Sequence, residues 1–176
     1  MSILARRLLA INQALDDAGI AHAFGGAIAL AYCTAEPRAT IDLDINIFLS
    51  YDEADTALTA IPAEVTVTEA NRRELAGIGQ TRAWWDSTPI DMFFDTHPFH
   101  HIAASRVRLV PFADHSIPVL DCTSLAVFKA MSNRTKDWAD LEAMANAGQL
   151  EVTTVSALLK SILGEDPHLS RLATLA

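Results

Sequence analysis

Seven residues in the first third of this chain, Ile41-Asp42-Leu43-Asp44-Ile45-Asn46-Ile47, alternate apolar and polar without a break. A strand sends successive side chains to opposite faces, so the run predicts a β-strand with four apolar residues on one face and Asp42, Asp44 and Asn46 on the other. Both carboxylates then project from one face, about 7 Å apart along the chain. A solvated outer face is the plain alternative, because edge strands often carry charge that discourages further pairing. Hard oxygen ligands at this spacing also suit Mg²⁺.

A second feature lies just upstream. Gly25-Gly26 stands where an apolar stretch ending in Phe24 meets the helix-like run Ala27-Ile28-Ala29-Leu30-Ala31. Backbone N–H groups at such a junction, together with a helix N-terminus, can face an anion. Two glycines before a helix also serve as a tight turn or a close-packing device. A phosphate seat beside a divalent-metal seat suggests chemistry on a nucleoside triphosphate.

Trp84-Trp85, the turn-like Asp86-Ser87-Thr88-Pro89 and Ile90-Asp91-Met92-Phe93-Phe94 read as a β-hairpin whose second strand carries one acid in an apolar setting. A buried carboxylate is costly unless it coordinates a cation or pairs with a neighbour. Asp91 is accordingly the third candidate metal ligand, with an ion pair to Arg82 as the structural alternative.

With 51% hydrophobic and 20% charged residues, the 176-residue chain can bury a sizeable core, which excludes disorder and disulfide-dense miniature scaffolds. A net charge of −9 argues against a broad basic surface for nucleic acid. Arg72-Arg73 and the pair Arg106 and Arg108 are local exceptions that fit an acceptor groove or solvated loops. Cys33 and Cys122 lack Cys-x-x-Cys spacing and suggest free thiols in a reduced, cytoplasmic compartment. The N-terminus mixes Arg6, Arg7, Asp16 and Asp17 with leucines in helical rhythm, unlike a signal peptide, and no segment approaches the ~20 apolar residues of a membrane span. His97-Pro98-Phe99-His100-His101 lacks zinc-site company and reads as a surface loop near the cleft, where a histidine could contact substrate.

Along the chain, periodicity predicts a helix over Ile3 to Asp17, a strand near His22 to Phe24, a helix from Gly26 to Cys33, and then the Asp-bearing strand. Residues 51–60 look helical, Val65-Thr66-Val67-Thr68 looks like a strand, and Ile117-Pro118-Val119-Leu120 reads as a short edge strand because Pro118 lacks a donor. After Asp121-Cys122-Thr123 the chain turns helical to the end, with breaks near Gly148 and from Gly164 to Pro167. The fold class expected is α/β, with residues 1–120 as a core and 121–176 as a helical extension packed on it within one compact unit.

Phe24-Gly25-Gly26-Ala27-Ile28-Ala29-Leu30, Arg38-Ala39-Thr40-Ile41-Asp42-Leu43-Asp44 and Ile90-Asp91 together resemble the DNA polymerase beta-like nucleotidyltransferase superfamily. Lys129-Ala130-Met131, followed by Arg134-Thr135-Lys136-Asp137-Trp138-Ala139-Asp140-Leu141, is similar to an element of its AbiEii-type toxin branch. The resemblance spans roughly residues 20–145. In place of the Gly-Ser and Ala-Arg-Gly of the minimal nucleotidyltransferases paired with HEPN proteins, this chain has Gly-Gly-Ala-Ile-Ala. The resemblance implies a mixed sheet flanked by helices with a helical tail, and metal-dependent transfer of a nucleoside monophosphate to an acceptor hydroxyl. Asp42, Asp44 and Asp91 would hold two Mg²⁺ ions, and Gly25, Gly26, Arg38, Thr40 and Lys129 would bind the nucleotide. Asp137 and Asp140 are secondary candidates, since Lys136 and Asp140 could simply pair on a helix surface. Lys129 also sits where a helix dipole favours a cation. Three kinds of protein fit: an RNA-modifying enzyme such as a toxin that has an antitoxin and takes tRNA as acceptor, a transferase acting on a small molecule or protein, and a non-catalytic nucleotide- or partner-binding module.

Overall fold

A computed structural model describes residues 1–176. Seven strands form one mixed sheet in the order β3-β4-β5-β2-β1-β7-β6, where β1 is His22–Phe24, β2 Leu43–Ser50, β3 Val65–Thr66, β4 Gln80–Trp85, β5 Thr88–Asp95, β6 Arg108–Phe112 and β7 His115–Val119. Helices flank it: α1 (Ile3–Asp17), α2 (Gly26–Thr34), α3 (Ala54–Ala60), α4 (Glu69–Ile78), α5 (Phe99–Ser105), α6 (Cys122–Ser132), α7 (Thr135–Asn146), α8 (Val152–Leu163) and α9 (Pro167–Ala173). A 3₁₀ turn over Tyr51–Glu53 leads into α3. The mixed α/β sheet expected from the sequence is present.

The alternating run lies at the centre of the sheet. Leu43, Ile45 and Ile47 are at most 1% exposed and join a buried cluster that includes Leu8, Ile11 and Leu15 of α1. The opposite face is not solvated, because Asn46 is buried as well. The strand begins two residues later than the pattern suggested, and Ile41 is 77% exposed. Neighbouring strands offer nothing to pair with residues 41–42: β1 ends at Phe24↔Ile45 and β5 joins only at Leu43↔Ile90. The Thr40 hydroxyl instead donates to Asp42 Oδ1 at 2.5 Å, a local turn that competes with a ladder.

Topology brings four chain reversals to one end of the sheet. β1 runs antiparallel to β2, and β2 runs parallel to β5, so the end of β1 lies beside the starts of β2 and β5. β7 runs parallel to β1 and ends there too, feeding α6. The loops β1–α2 and β7–α6 and the beginnings of β2 and β5 therefore meet.

Several local expectations change. Val65-Thr68 forms only a two-residue strand, because Thr68 turns to cap α4 by accepting from the Asn71 amide. β7 is interior, not an edge: Pro118 sits opposite Leu109 of β6, which is the true edge. His97-Pro98-Phe99-His100-His101 is not a surface loop. Its last three residues open α5, and Phe99 and His100 are buried. Cys33 and Cys122 are bonded to each other across 89 residues, joining α2 to α6, which removes the thiol argument for a reduced compartment. No helix is long and apolar enough to cross a membrane.

Candidate active site at the end of the sheet

Register sets a row of residues across three strands and the residue that follows β1. Arg82 of β4 faces Asp91 of β5, and Asp91 faces Asp44 of β2. Beyond Asp44 the row ends at Gly25, whose amide donates to the Asp44 carbonyl at 2.8 Å and so extends the β1–β2 ladder by one rung. That bond takes Gly25 out of the set of free donors. The amides of Gly26, Ala27 and Ile28 are those that the first turn of α2 leaves without an intrahelical partner. Of the two glycines, Gly26 alone therefore fits a phosphate seat built from backbone donors.

Gly26 has φ +48°, a left-handed conformation, and a Cβ there would collide with the Asp44 carboxylate. Both facts require glycine. Asp44 is thus packed directly against the N-terminus of α2. Burial, then Asp42, then Asp91 push its carboxyl up to about 6, against opposing pulls from Lys129 and Lys136. Asp42 takes the Thr40 hydroxyl. Asp91 is gripped by Arg82 through two bonds of 2.6 Å, the ion pair offered above as the structural alternative. That grip holds the Arg82 guanidinium above its ordinary value.

No three of these acids converge closely enough to form a ready metal cage. The chemistry of the donor set nonetheless fits a divalent cation. Asp42, Asp44 and Asp91 are hard oxygen ligands, and the two outer acids raise the pKa of the central one against the pulls of Lys129 and Lys136, so negative charge is concentrated there. Asp42 and Asp44 are open to a metal, whereas Asp91 is shared with Arg82.

The basic groups come from the other side of the end of the sheet. Lys129 of α6 is buried, with Nζ 2.6 Å from Asp140 and 3.6 Å from Asp137 of α7. Arg38 reaches Asp140 at 2.7 Å, and Arg134 bonds Asp137 at 2.6 Å. Asp137 and Asp140 are 1% and 3% exposed, so these acids lie beneath the cations rather than beside a solvated Lys136. They orient Lys129, Arg38 and Arg134 without reaching the strand carboxylates.

Two clefts meet over this arrangement. One of about 330 Å³ is lined by Gly26, Arg38, Thr40, Asp42, Lys129 and Lys136. The other, of about 640 Å³, takes in Glu74, Arg82, Asp91, Phe93, His100 and Phe128. Gly26, Asp44, Lys129, Arg134 and Asp137 line both. Of the residues singled out from the sequence, Gly26, Arg38, Thr40, Asp42, Asp44, Lys129, Asp137 and Asp140 are gathered round the first cleft, Asp91 opens on the second, and Gly25 lies behind. Glu74 and Phe128 carried no sequence signal of their own. His100 carried only a histidine-rich segment that reads as a loop.

No protein-family model matches the sequence, and comparison with curated proteins found no match. Solved structures do match in fold. ANT(2'')-Ia in complex with adenylyl-2''-tobramycin superposes with a TM-score of 0.64 at 12% identity, covering 97% of this chain and 99% of that one. The same antibiotic-resistance factor in solution gives 0.59 at 11% identity, covering 98% and 94%. An antigenic nucleotidyltransferase-like protein from Paracoccidioides brasiliensis gives 0.56 at 15% identity, covering 99% and 94%. At these identities the likeness speaks for the fold, and the fold of this chain is that of the nucleotidyltransferases.

Proposed function

We propose that this protein is a metal-dependent nucleotidyltransferase that moves a nucleoside monophosphate from a nucleoside triphosphate to an acceptor hydroxyl, releasing pyrophosphate. The observation that carries the reading is the row Asp91–Asp44 set against the open amides of α2 at the seam of two clefts. A triphosphate fits the smaller cleft, where the amides of Gly26, Ala27 and Ile28 donate to phosphate oxygens and Lys129, Arg38 and Lys136 supply positive charge. Mg²⁺ held by Asp42 and Asp44, and by Asp91 once Arg82 shares it, would neutralise charge on the transferring phosphoryl group. Asp91 faces the larger cleft and is placed to take the proton of an acceptor hydroxyl bound there. Lys129, oriented by Asp140, stabilises the leaving pyrophosphate.

A small molecule is the acceptor this geometry favours. The larger cleft has the volume of a ligand pocket, and the net charge of −9 disfavours a long nucleic-acid footprint. A neighbour in fold, ANT(2'')-Ia, is known in complex with an adenylylated tobramycin. A toxin role with an antitoxin partner and a tRNA acceptor rests on motif resemblance alone. Incubation with each labelled triphosphate, Mg²⁺ and separate pools of small molecules, tRNA and protein tests these options. Label in the small-molecule pool that vanishes in Asp44→Asn is the expected result.

One observation favours a second reading, a non-catalytic nucleotide-binding module. Asp91 is held by Arg82 and Lys129 by Asp140, so the groups that would act are occupied in this conformation. Nucleotide binding without label transfer to any pool would favour it.

A further inference from the structure

We propose that the larger cleft takes a small molecule rich in hydrogen-bond donors, a neutral or cationic polyol, and that His100 is a specificity-determining residue whose Nε2 accepts one of those donors. The inference rests on the reading above in assigning this cleft to the acceptor. It goes beyond it in naming the chemistry of the acceptor and the group that reads it.

His100 is 7% exposed on α5. Its Nδ1 lies 3.2 Å from the His97 carbonyl oxygen and 3.7 Å from Asp95 Oδ1, and both of those groups only accept. The proton of the neutral ring therefore sits on Nδ1, and Nε2 keeps a bare lone pair. Burial, the largest influence, holds the ring below the ordinary histidine value and so in its neutral form, outweighing the upward pulls of the His97 carbonyl and Asp95. Nε2 has no protein partner, yet it is not sealed off. His100 Nε2 is not among the buried side-chain nitrogen and oxygen atoms left without a hydrogen bond. Phe128 packs against the ring at a centroid distance of 5.1 Å, and the ring lines the cleft.

The rest of the wall points to the same ligand. Every basic side chain lining this cleft is already matched: Arg82 with Asp91, Arg134 with Asp137, and Lys129 with Asp140 and Asp137. Glu74 accepts the Thr81 hydroxyl through Oε2, which leaves its other oxygen open. The spare charged groups, Asp44 and the second Glu74 oxygen, are carboxylate acceptors, and His100 Nε2 adds a third acceptor, while Asn46, Gln80, Thr96 and Ser132 supply neutral groups that can donate or accept. An anion entering the cleft finds carboxylates and no unmatched cation, whereas a molecule bearing hydroxyl or ammonium groups finds carboxylate and imidazole acceptors beside neutral amides and hydroxyls. Phe93 and Phe128 supply apolar wall for the C–H face of a saturated ring.

Histidine-ring ¹⁵N spectra of the full chain, titrated with glucosamine, glucose and glucuronate, read this contact at one ring geometry and three charges. The expected result is an Nδ1–H tautomer for His100, an Nε2 resonance that moves with glucosamine and glucose, and roughly tenfold weaker binding of glucuronate. His100→Phe keeps the packing on Phe128 and removes the lone pair. It should weaken glucosamine binding by roughly three- to tenfold, the worth of one hydrogen bond, and leave the affinity for a non-hydrolysable ATP analogue with Mg²⁺ unchanged. His100→Gln, which carries an acceptor at a similar reach, should recover part of the loss. The proposal is overturned by an Nε2–H tautomer, by glucuronate binding most tightly, by equal glucosamine affinity in wild type and His100→Phe, or by a wild type that binds the nucleotide analogue and no sugar. Loss of nucleotide binding alongside His100-dependent sugar binding would instead sink nucleotidyl transfer and leave this proposal standing.

Discussion

Two residues in contact, Gly26 and Asp44, tie the phosphate seat to the metal seat. Gly26→Ala meets a left-handed φ, which costs an L-residue about 1–2 kcal/mol, and also drives a methyl into the Asp44 carboxylate. The variant should unfold at lower urea by an amount of that order. It should also lose Mg²⁺-dependent nucleotide binding by calorimetry, because Asp44 has to swing away. Asp44 itself should be visible in the pH dependence of stability. Its folded pKa of about 6 lies above the unfolded value near 3.8, so the folded state binds the proton more tightly. Metal-free stability should therefore fall as pH rises from about 4 to about 6, by up to roughly 3 kcal/mol. Urea midpoints across that window should show the fall in wild type, a flatter profile in Asp44→Asn, and its disappearance when Mg²⁺ binds the ionised form.

At the scale of elements, the packing of α6 on α7 is fastened by buried charge. Lys129 and Asp140 are 7% and 3% exposed and 2.6 Å apart. Removing one partner of a buried pair leaves an uncompensated charge and typically costs about 3–5 kcal/mol. Lys129→Gln and Asp140→Asn should each be destabilising on that scale. The double variant should lose less than their sum, with a coupling of about 0.5–3 kcal/mol in a denaturation cycle. Additive losses would mean that the pair is not formed in solution. A surface cation favoured only by the helix dipole predicts far smaller effects, so losses on that scale would remove this reading of Lys129. If Lys129 contacts triphosphate, the nucleotide should stabilise Asp140→Asn normally and Lys129→Gln poorly.

Across the whole molecule, the Cys33–Cys122 bond joins the helix that offers the amides to the helix that carries Lys129. A cross-link over a long loop restricts the unfolded chain and is typically worth about 2–4 kcal/mol. Adding reductant to wild type should lower the urea midpoint accordingly and expose two thiols. Cys33→Ser/Cys122→Ser should match reduced wild type and be insensitive to reductant. An unchanged midpoint under reductant would show that the bond contributes nothing to the fold.

The sequence by itself determined what depends on neighbours in the chain. The alternation at Leu43-Asp44-Ile45-Asn46-Ile47 defined a strand with Asp44 and Asn46 on one face, and the glycines before an apolar helical run marked the β1–α2 turn. Asp86-Ser87 closed the hairpin that carries Asp91. These signals are local because side-chain direction and turn conformation repeat over two to four residues. It was tertiary structure that decided which charges meet. Arg38 and Asp140 are 102 residues apart, and nothing in the chain near either one names the other. The same holds for the bonding of Cys33 to Cys122 and for the Gly25 amide, which the β1–β2 register consumed. Sheet order brought these groups together, and it is fixed by burying the apolar face as a whole, so each pairing follows from the complete core and from no single segment.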